Sequence, residues 1–250
     1  MDSWRNNYFI WKWCIKWKKE WHEKYYKKYN DIICVCKDNK KDFLNIFPSL
    51  NNKTKVFYNI INQEEIKKLA QEKIDLLKKG NEVVITTVGR VCDQKGQDRI
   101  IIILDELLKL GYNIRWFLVG DGDLRETLEI EIKNKKLEEN LILLGTKLNP
   151  YPYIKNCDIY VQPSRSEGYC LALAEAKILE KPIVVTEFAG SFEQIENQIN
   201  GIRVKNQNKD ILDGIIYLLE NENIKIELEE NLKKSNLNLA VKDNNIRNLI

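Results

Sequence analysis

The chain has 250 residues, 44% of them hydrophobic, enough to bury a sizeable core as one domain or as two. Lys and Arg number 40 against 37 Asp and Glu, a net charge of +3, which excludes the strongly basic character of most nucleic-acid-binding domains. Six scattered cysteines without a C-x-x-C pair and a single histidine, His22, give neither a zinc site nor a disulfide framework, and point to a reduced, cytoplasmic interior.

The opening MDSWRNNYFIWKWCIKWKKEW lacks the uninterrupted apolar core of a signal peptide, and no later run approaches the ~18 apolar residues of a membrane span. Residues 1–30 nevertheless carry eight basic and three acidic side chains, a local excess of five positive charges, so that the rest of the chain is net −2. Trp13, Trp17, Trp21 and Tyr25 recur every four residues among these lysines. Two readings stay open: a helix lying on anionic lipid, which would give peripheral contact with the cytoplasmic membrane, and a stripe packed on a sheet, favoured because Trp11 and Glu20 blur the polar face.

DIICVC, KKDFLNIF and KVFYNI then predict one β-α-β unit, too little to close a sheet of its own. Residues 1–60 therefore read as the end of a domain whose beginning is missing. QEEIKKLAQEKIDLLKKG predicts a polar connecting helix over 61–80. From residue 82, short β-branched runs alternate with longer helical ones: EVVITTV, IRWFLVG, NLILLGT, CDIYVQP, KPIVVT and GIRVK, each followed by a helical stretch. Six strand–helix units in succession predict an α/β, doubly wound, Rossmann-like parallel sheet over 81–236, with a carboxy-terminal helix over 237–250. In such sheets ligands lie at the carboxyl ends of the strands, which directs attention to the loops after them.

After the first of these strands comes GRVCDQKG, with Gly89 at the strand end, Arg90 beyond it and Lys95-Gly96 opening the next helix. Two cations beside a helix amino terminus suit a diphosphate; a solvated loop with two surface cations is the alternative. After the second strand, Asp121 and Asp123 form a D-x-D in the turn GDGD. The spacing can hold a divalent cation, but a tight glycine turn with Asp123 capping the next helix is the stronger reading, and no metal site is expected.

SRSEGYCLALAEA, residues 164–176, sets Glu167 and Glu175 eight positions apart. If both are helical they stand ~12 Å apart along the backbone, whereas the paired carboxyls of a glycoside hydrolase lie ~5 to 9.5 Å apart. The two acids fit grips on two ends of one long ligand. Gly168 admits close approach to backbone, and the amides of Gly168, Tyr169 and Cys170 are expected to be free at the helix start. Glu175, flanked by Ala174 and Ala176, needs a partner: ligand hydroxyls, or backbone amides or a cation of the protein itself.

With VGRVCDQKG at 88–96, FLVGDGDLR at 117–125, NPYPYIKNCDIYVQPSRSEGYCLALAEA at 149–176, KPIVVT at 181–186, and AGSFEQI with NGIRV at 189–204, the chain resembles glycosyltransferase family 4, retaining nucleotide-sugar-dependent transferases of GT-B architecture. The resemblance spans about residues 30–205 and is closest in wording to bacterial members that build capsule, lipopolysaccharide or other surface glycans. It implies a sugar transferred from a UDP- or GDP-linked donor to a glycan or lipid-linked acceptor, without metal or other cofactor. By the same resemblance, Gly89, Arg90 and Lys95 hold the donor diphosphate, Glu175 takes the ribose hydroxyls, and Glu167 faces the donor sugar as the catalytic carboxylate, with Gly168, Tyr169 and Cys170 beside it.

The pattern breaks at the amino end. A GT-B enzyme needs a second Rossmann-like domain for the acceptor, of which KYNDIICVCKDNKKDFLNIF resembles only the end, with Cys36 where the family often has serine. His22 lies in a lysine-rich helix and inherits no catalytic role. These 250 residues alone are therefore expected to give no sugar transfer, and a half that binds donor without turnover, or docks with a separate acceptor-domain polypeptide, is the alternative function; a peripheral membrane adaptor is a third.

Overall fold

A computed structural model describes residues 19–74 and 80–247. The chain divides into two compact units, Met1–Ile60 and Ile61–Ile250.

In the first unit a helix over 19–26 (α1) precedes β1 (Ile32–Cys34), α2 (Lys37–Ile46), a 3-10 turn (Pro48–Lys53) and β2 (Thr54–Val56). β1 and β2 pair in parallel, Ile33 opposite Lys55. The Cys36 sulfur caps α2 by accepting from the Asn39 amide at 3.4 Å, the task a serine oxygen performs at most helix starts. Tyr26, Phe43 and Phe47 form a mutual aromatic cluster with ring centroids 5.1 to 5.3 Å apart. The packing expected of the Trp/Tyr stripe falls instead to Tyr26, since Trp21 and Tyr25 are 49% and 43% exposed; Trp13 and Trp17 lie outside the described residues.

In the second unit, Asn62 caps α3 (Gln63–Leu69), and its side chain and that of Glu65 satisfy one another. The helix stops at Leu69, well short of the span predicted to residue 80, and the end of that span, 75–79, lies outside the described residues. β3 (Val83–Val88), β4 (Ile114–Val119), β5 (Leu141–Gly145), β6 (Ile159–Gln162), β7 (Ile183–Thr186) and β8 (Ile202–Val204) form one parallel sheet in the order β5-β4-β3-β6-β7-β8. All six predicted strands are present. The direction of winding reverses between β3 and β6, and the loops after these two strands flank the crevice that such a reversal opens.

Strand side chains alternate, so each strand feeds two cores. Ile85, Trp116, Leu118, Ile159, Val161 and Val184 face α4 (Asp98–Lys109), α5 (Arg125–Asn134) and α9 (Asn208–Glu220). Val84, Phe117, Tyr160, Ile183 and Val185 face α6 (Tyr151–Lys155) and α7 (Leu171–Ile178), with Phe188 and Ile195 on either side of the short α8 (Ser191–Gln194). The last helix, α10, runs unbroken from Glu222 to Arg247, so the boundary predicted at 236/237 is not a helix start; the break comes at Asn221. Among the described residues no helix is long and apolar enough to cross a membrane; Cys34, Cys92, Cys157 and Cys170 are free and buried, and Cys36 is buried.

Candidate functional site

The loop after β3 is held in shape from two sides. Gln97, fully buried, donates to the Arg90 carbonyl at 2.8 Å and accepts from the Cys92 amide at 3.3 Å, clasping residues 90–92. On the other side the GDGD loop lies directly against it, with Gly89 N donating to Val119 O and Val91 N to Asp121 O. A Cβ at Gly120 would fall 1.9 Å from the Gly89 carbonyl, and one at Gly122 would fall 2.4 Å from that of Val91. These glycines permit close approach of two loops, a role beyond the tight turn expected of them.

Lys95 ends a 3-10 turn (Asp93–Lys95), Gly96 follows in the left-handed region at φ 70°, and α4 begins only at Asp98. The expectation that Lys95-Gly96 opens the helix is thus displaced by two residues. The first turn of α4 is occupied by protein groups: Asp98 forms a bidentate pair with Arg165 from the loop after β6, at 2.6 and 2.7 Å. That pair holds the Asp98 carboxyl below the ordinary range, against the opposing pull of burial. A Cβ at Gly96 would fall 2.2 Å from the Pro163 carbonyl, so the loops after β3 and β6 touch here as well.

Across this contact Lys95 reaches Glu167. Its ammonium donates to Glu167 Oε1 at 2.6 Å, with side-chain exposures of 21% and 9%. Burial works to lower the Lys95 pKa, but the Cys170 sulfur and Glu167 outweigh it, and the amine is held above its ordinary value. Because burial pushes the Cys170 thiol up to about 12, the thiol is protonated at neutral pH, and Glu167 is the charge that matters to Lys95. Arg90 is exposed, and its guanidinium makes no ion pair among the described residues. Gly89 sits against the Lys95 stem, whose Cδ would be 3.5 Å from a Cβ placed there.

Glu167 lies in the loop before α7, which starts at Leu171 and carries Glu175 in its second turn. The ~12 Å helical spacing therefore does not apply to the pair, because only Glu175 is helical. Burial raises the Glu175 pKa, and the Tyr151 hydroxyl, donating to the carboxylate, pulls it part of the way back. Its partner among the described residues is thus a phenol on α6, neither a backbone amide nor a cation. Gly168 and Tyr169 are each engaged with other groups of the protein, and the Gly168 carbonyl would lie 2.5 Å from a Cβ at Gly190.

The D-x-D is divided. The Asp121 carboxylate accepts from the Gly122 amide at 2.8 Å and stands 3.6 Å from Arg125. α5 begins at Arg125 with Leu124 in the capping position, so Asp123 does not cap it.

Several partners of the site were not singled out in the sequence: Gln97, the Asp98–Arg165 clamp with Asn206 bonded to the Arg165 carbonyl at 2.7 Å, Tyr151, and Ser164, which donates to Glu167 Oε1 at 2.8 Å. A signal existed for the last. Ser164 stands two residues beyond Gln162, a polar residue at the end of an otherwise apolar strand, and period two puts both on one face.

A doubly wound sheet with a charged site at its switch point defines a Rossmann-like ligand-binding domain. Residues 63–237 match the family of glycosyl transferases group 1, and the chain belongs to it. An uncharacterized glycosyltransferase of Methanocaldococcus jannaschii is 32% identical over 163 residues, 64% of this chain and 40% of that protein. The N-acetylgalactosamine-N,N'-diacetylbacillosaminyl-diphospho-undecaprenol 4-alpha-N-acetylgalactosaminyltransferase of Campylobacter jejuni is 29% identical over 191 residues, 76% of this chain and 50% of that one. The chain thus spans half or less of the length of these two relatives. A glycosyltransferase from Rickettsia africae has the same fold, with a TM-score of 0.74 at 19% identity, over 86% of this chain and 62% of that chain. Anabaena HepE, solved in complex with UDP, has a TM-score of 0.68 at 21% identity, over 86% and 64%. The fold is that of the GT-B glycosyltransferases.

Proposed function

We propose that this chain is the donor-binding half of a retaining, family-4-type glycosyltransferase that takes a UDP- or GDP-linked sugar without metal and serves bacterial surface-glycan assembly. The observation that carries the reading is the Lys95–Glu167 pair at 2.6 Å, formed between the loops on either side of the switch point. Lys95, with Arg90 exposed in the same loop, offers cations to a diphosphate, while the Glu167 carboxylate offers an acceptor to sugar hydroxyls. As the bond to the sugar breaks, negative charge grows on the leaving phosphate, and fixed cations stabilise it without a divalent ion. Glu175 then takes the ribose. Capsule and undecaprenol-linked glycan assembly are the work for which relatives of the chain are named, and they support a glycan or lipid-linked acceptor.

Transfer also needs the acceptor hydroxyl held in line with the anomeric carbon, positioning that supplies ~7 to 11 kcal/mol of the barrier, and a separate acceptor-domain polypeptide is part of the proposal. The free, buried Cys34, Cys92, Cys157 and Cys170 support a cytoplasmic setting. The test is calorimetry of the chain with UDP- and GDP-sugars, with and without chelator. Binding that survives chelation supports the reading; binding abolished by chelation overturns the assignment of Lys95 and Arg90.

A further inference from the structure

Behind Glu167 runs a line of buried polar side chains that the reaction does not itself require. Tyr160 and Gln162 lie on one face of β6, and Ser164 continues that face beyond Pro163. All three are fully buried. The Tyr160 hydroxyl donates to Gln162 Oε1 at 2.7 Å, Gln162 Nε2 donates to Ser164 Oγ at 2.8 Å, and Ser164 Oγ donates to Glu167 Oε1 at 2.8 Å. An amide inside a core is costly unless both its ends are satisfied, and the bonds that satisfy this one among the described residues run along the line. Burial holds the Tyr160 pKa well above that of a free phenol, so the line keeps a donor at its head.

Every bond points the same way. Each donor is polarised by the one behind it, and the sum of their dipoles falls on one carboxylate oxygen. That oxygen also receives the Lys95 ammonium. Oε1 is thereby occupied twice by the protein, and Oε2, which has no hydrogen-bond partner among the described residues, can meet a ligand. Thr186 locks the end of the strand, donating to the carbonyls of Gln162 and Ser164.

We infer that Tyr160, Gln162 and Ser164 are positioning residues that hold Glu167 with Oε1 turned to the protein and Oε2 presented to a hydroxyl of the donor sugar. The inference rests on the proposed donor-binding function for its ligand but not for its first measurement. In the ligand-free chain, the side-chain nitrogen of Lys95 is followed by 15N NMR in wild type and in Gln162→Met, a near-isosteric change two hydrogen bonds away from Glu167. The Lys95 signal is expected to shift or broaden, because Glu167 reorients; an unchanged signal overturns the line as a positioning device whether or not any nucleotide sugar binds.

The second measurement is calorimetry. Ser164→Ala is expected to weaken binding of the sugar-bearing donor about tenfold, as for the loss of one hydrogen bond to a charged group, and Gln162→Met to weaken it less. Both variants should keep wild-type affinity for the bare nucleoside diphosphate, and that retained affinity also reports that they fold. Equal weakening for nucleoside diphosphate and nucleotide sugar overturns the inference and marks a merely structural role. Failure of wild type to bind either ligand overturns the proposed function and leaves the NMR result to decide the line on its own.

Discussion

Lys95 and Glu167 are 72 residues apart in sequence and bonded at 2.6 Å across the two loops that flank the switch point. The ammonium carries three donors, so a ligand phosphate entering the site can take another of them while the bond to Glu167 stays in place. Lys95→Met should therefore weaken nucleoside diphosphate binding by ~1.5 to 3 kcal/mol, the worth of a charged hydrogen bond. Calorimetry at two salt concentrations checks it: the variant should also show a shallower salt dependence, since it has one cation fewer.

The two glutamates should separate by ligand. Glu175→Gln is expected to weaken free nucleoside diphosphate by ~1.5 to 3 kcal/mol, and Glu167→Gln to spare it while weakening the sugar-bearing donor. Equal losses on nucleoside diphosphate would contradict a two-ended grip.

Glu175 also makes a stability prediction. Burial raises its pKa, so the native state holds the proton more tightly than the unfolded chain. Stability is free of this charge cost below the unfolded pKa, falls as pH rises toward the raised native value, and stays reduced above it. Glu175→Gln should accordingly raise the melting temperature at pH 7, with the advantage shrinking near pH 4. A variant less stable than wild type at pH 7 would show that the Tyr151 bond outweighs desolvation.

Lys177 on α7 gives the opposite slope. Burial lowers its pKa to about 8, although its ammonium donates to the Gln194 carbonyl. Between about 8 and the ordinary lysine value of 10.5 the unfolded chain binds the extra proton, so stability contributed by this group rises with pH. The stability difference between wild type and Lys177→Met, measured by urea unfolding, should move in favour of wild type from pH 7 to pH 9.5.

Gly96→Ala should destabilise by ~2 kcal/mol or more, because it combines a left-handed φ of 70° with a Cβ 2.2 Å from the Pro163 carbonyl. Gly80→Ala, with φ 76° but open space around it, isolates the backbone term. Thermal melts of the two should differ, Gly96→Ala melting lower.

Strand periodicity made the sheet legible, because the four inner strands, β3, β4, β6 and β7, are buried on both faces and read as apolar runs, and the half-buried edge strands β5 and β8 keep the same β-branched and leucine-rich wording. Helix ends were less so. The polar run after Gln63 continues with good helix formers, yet α3 stops at Leu69, and nothing in local propensity marks that stop. In the site, charged residues in loops stood out, whereas their supports did not: Gln97, Asp98 and Tyr151 are ordinary surface types until the fold brings the loops together. Asp123 misled because a carboxylate before a helix resembles a cap, while α5 begins two residues later.

The contact of Gly96 with the Pro163 carbonyl has a bearing on how the site accommodates what enters it. With the Asp98–Arg165 clamp and the Arg165–Asn206 bond beside it, it couples the platform that bears Lys95 to the platform that bears Glu167, so the two shift together or not at all. Discrimination between ligands then cannot come from widening the gap between them. It falls to side chains that can swing without dragging backbone along, and Arg90, exposed in the same loop and without an ion pair among the described residues, is placed to adapt.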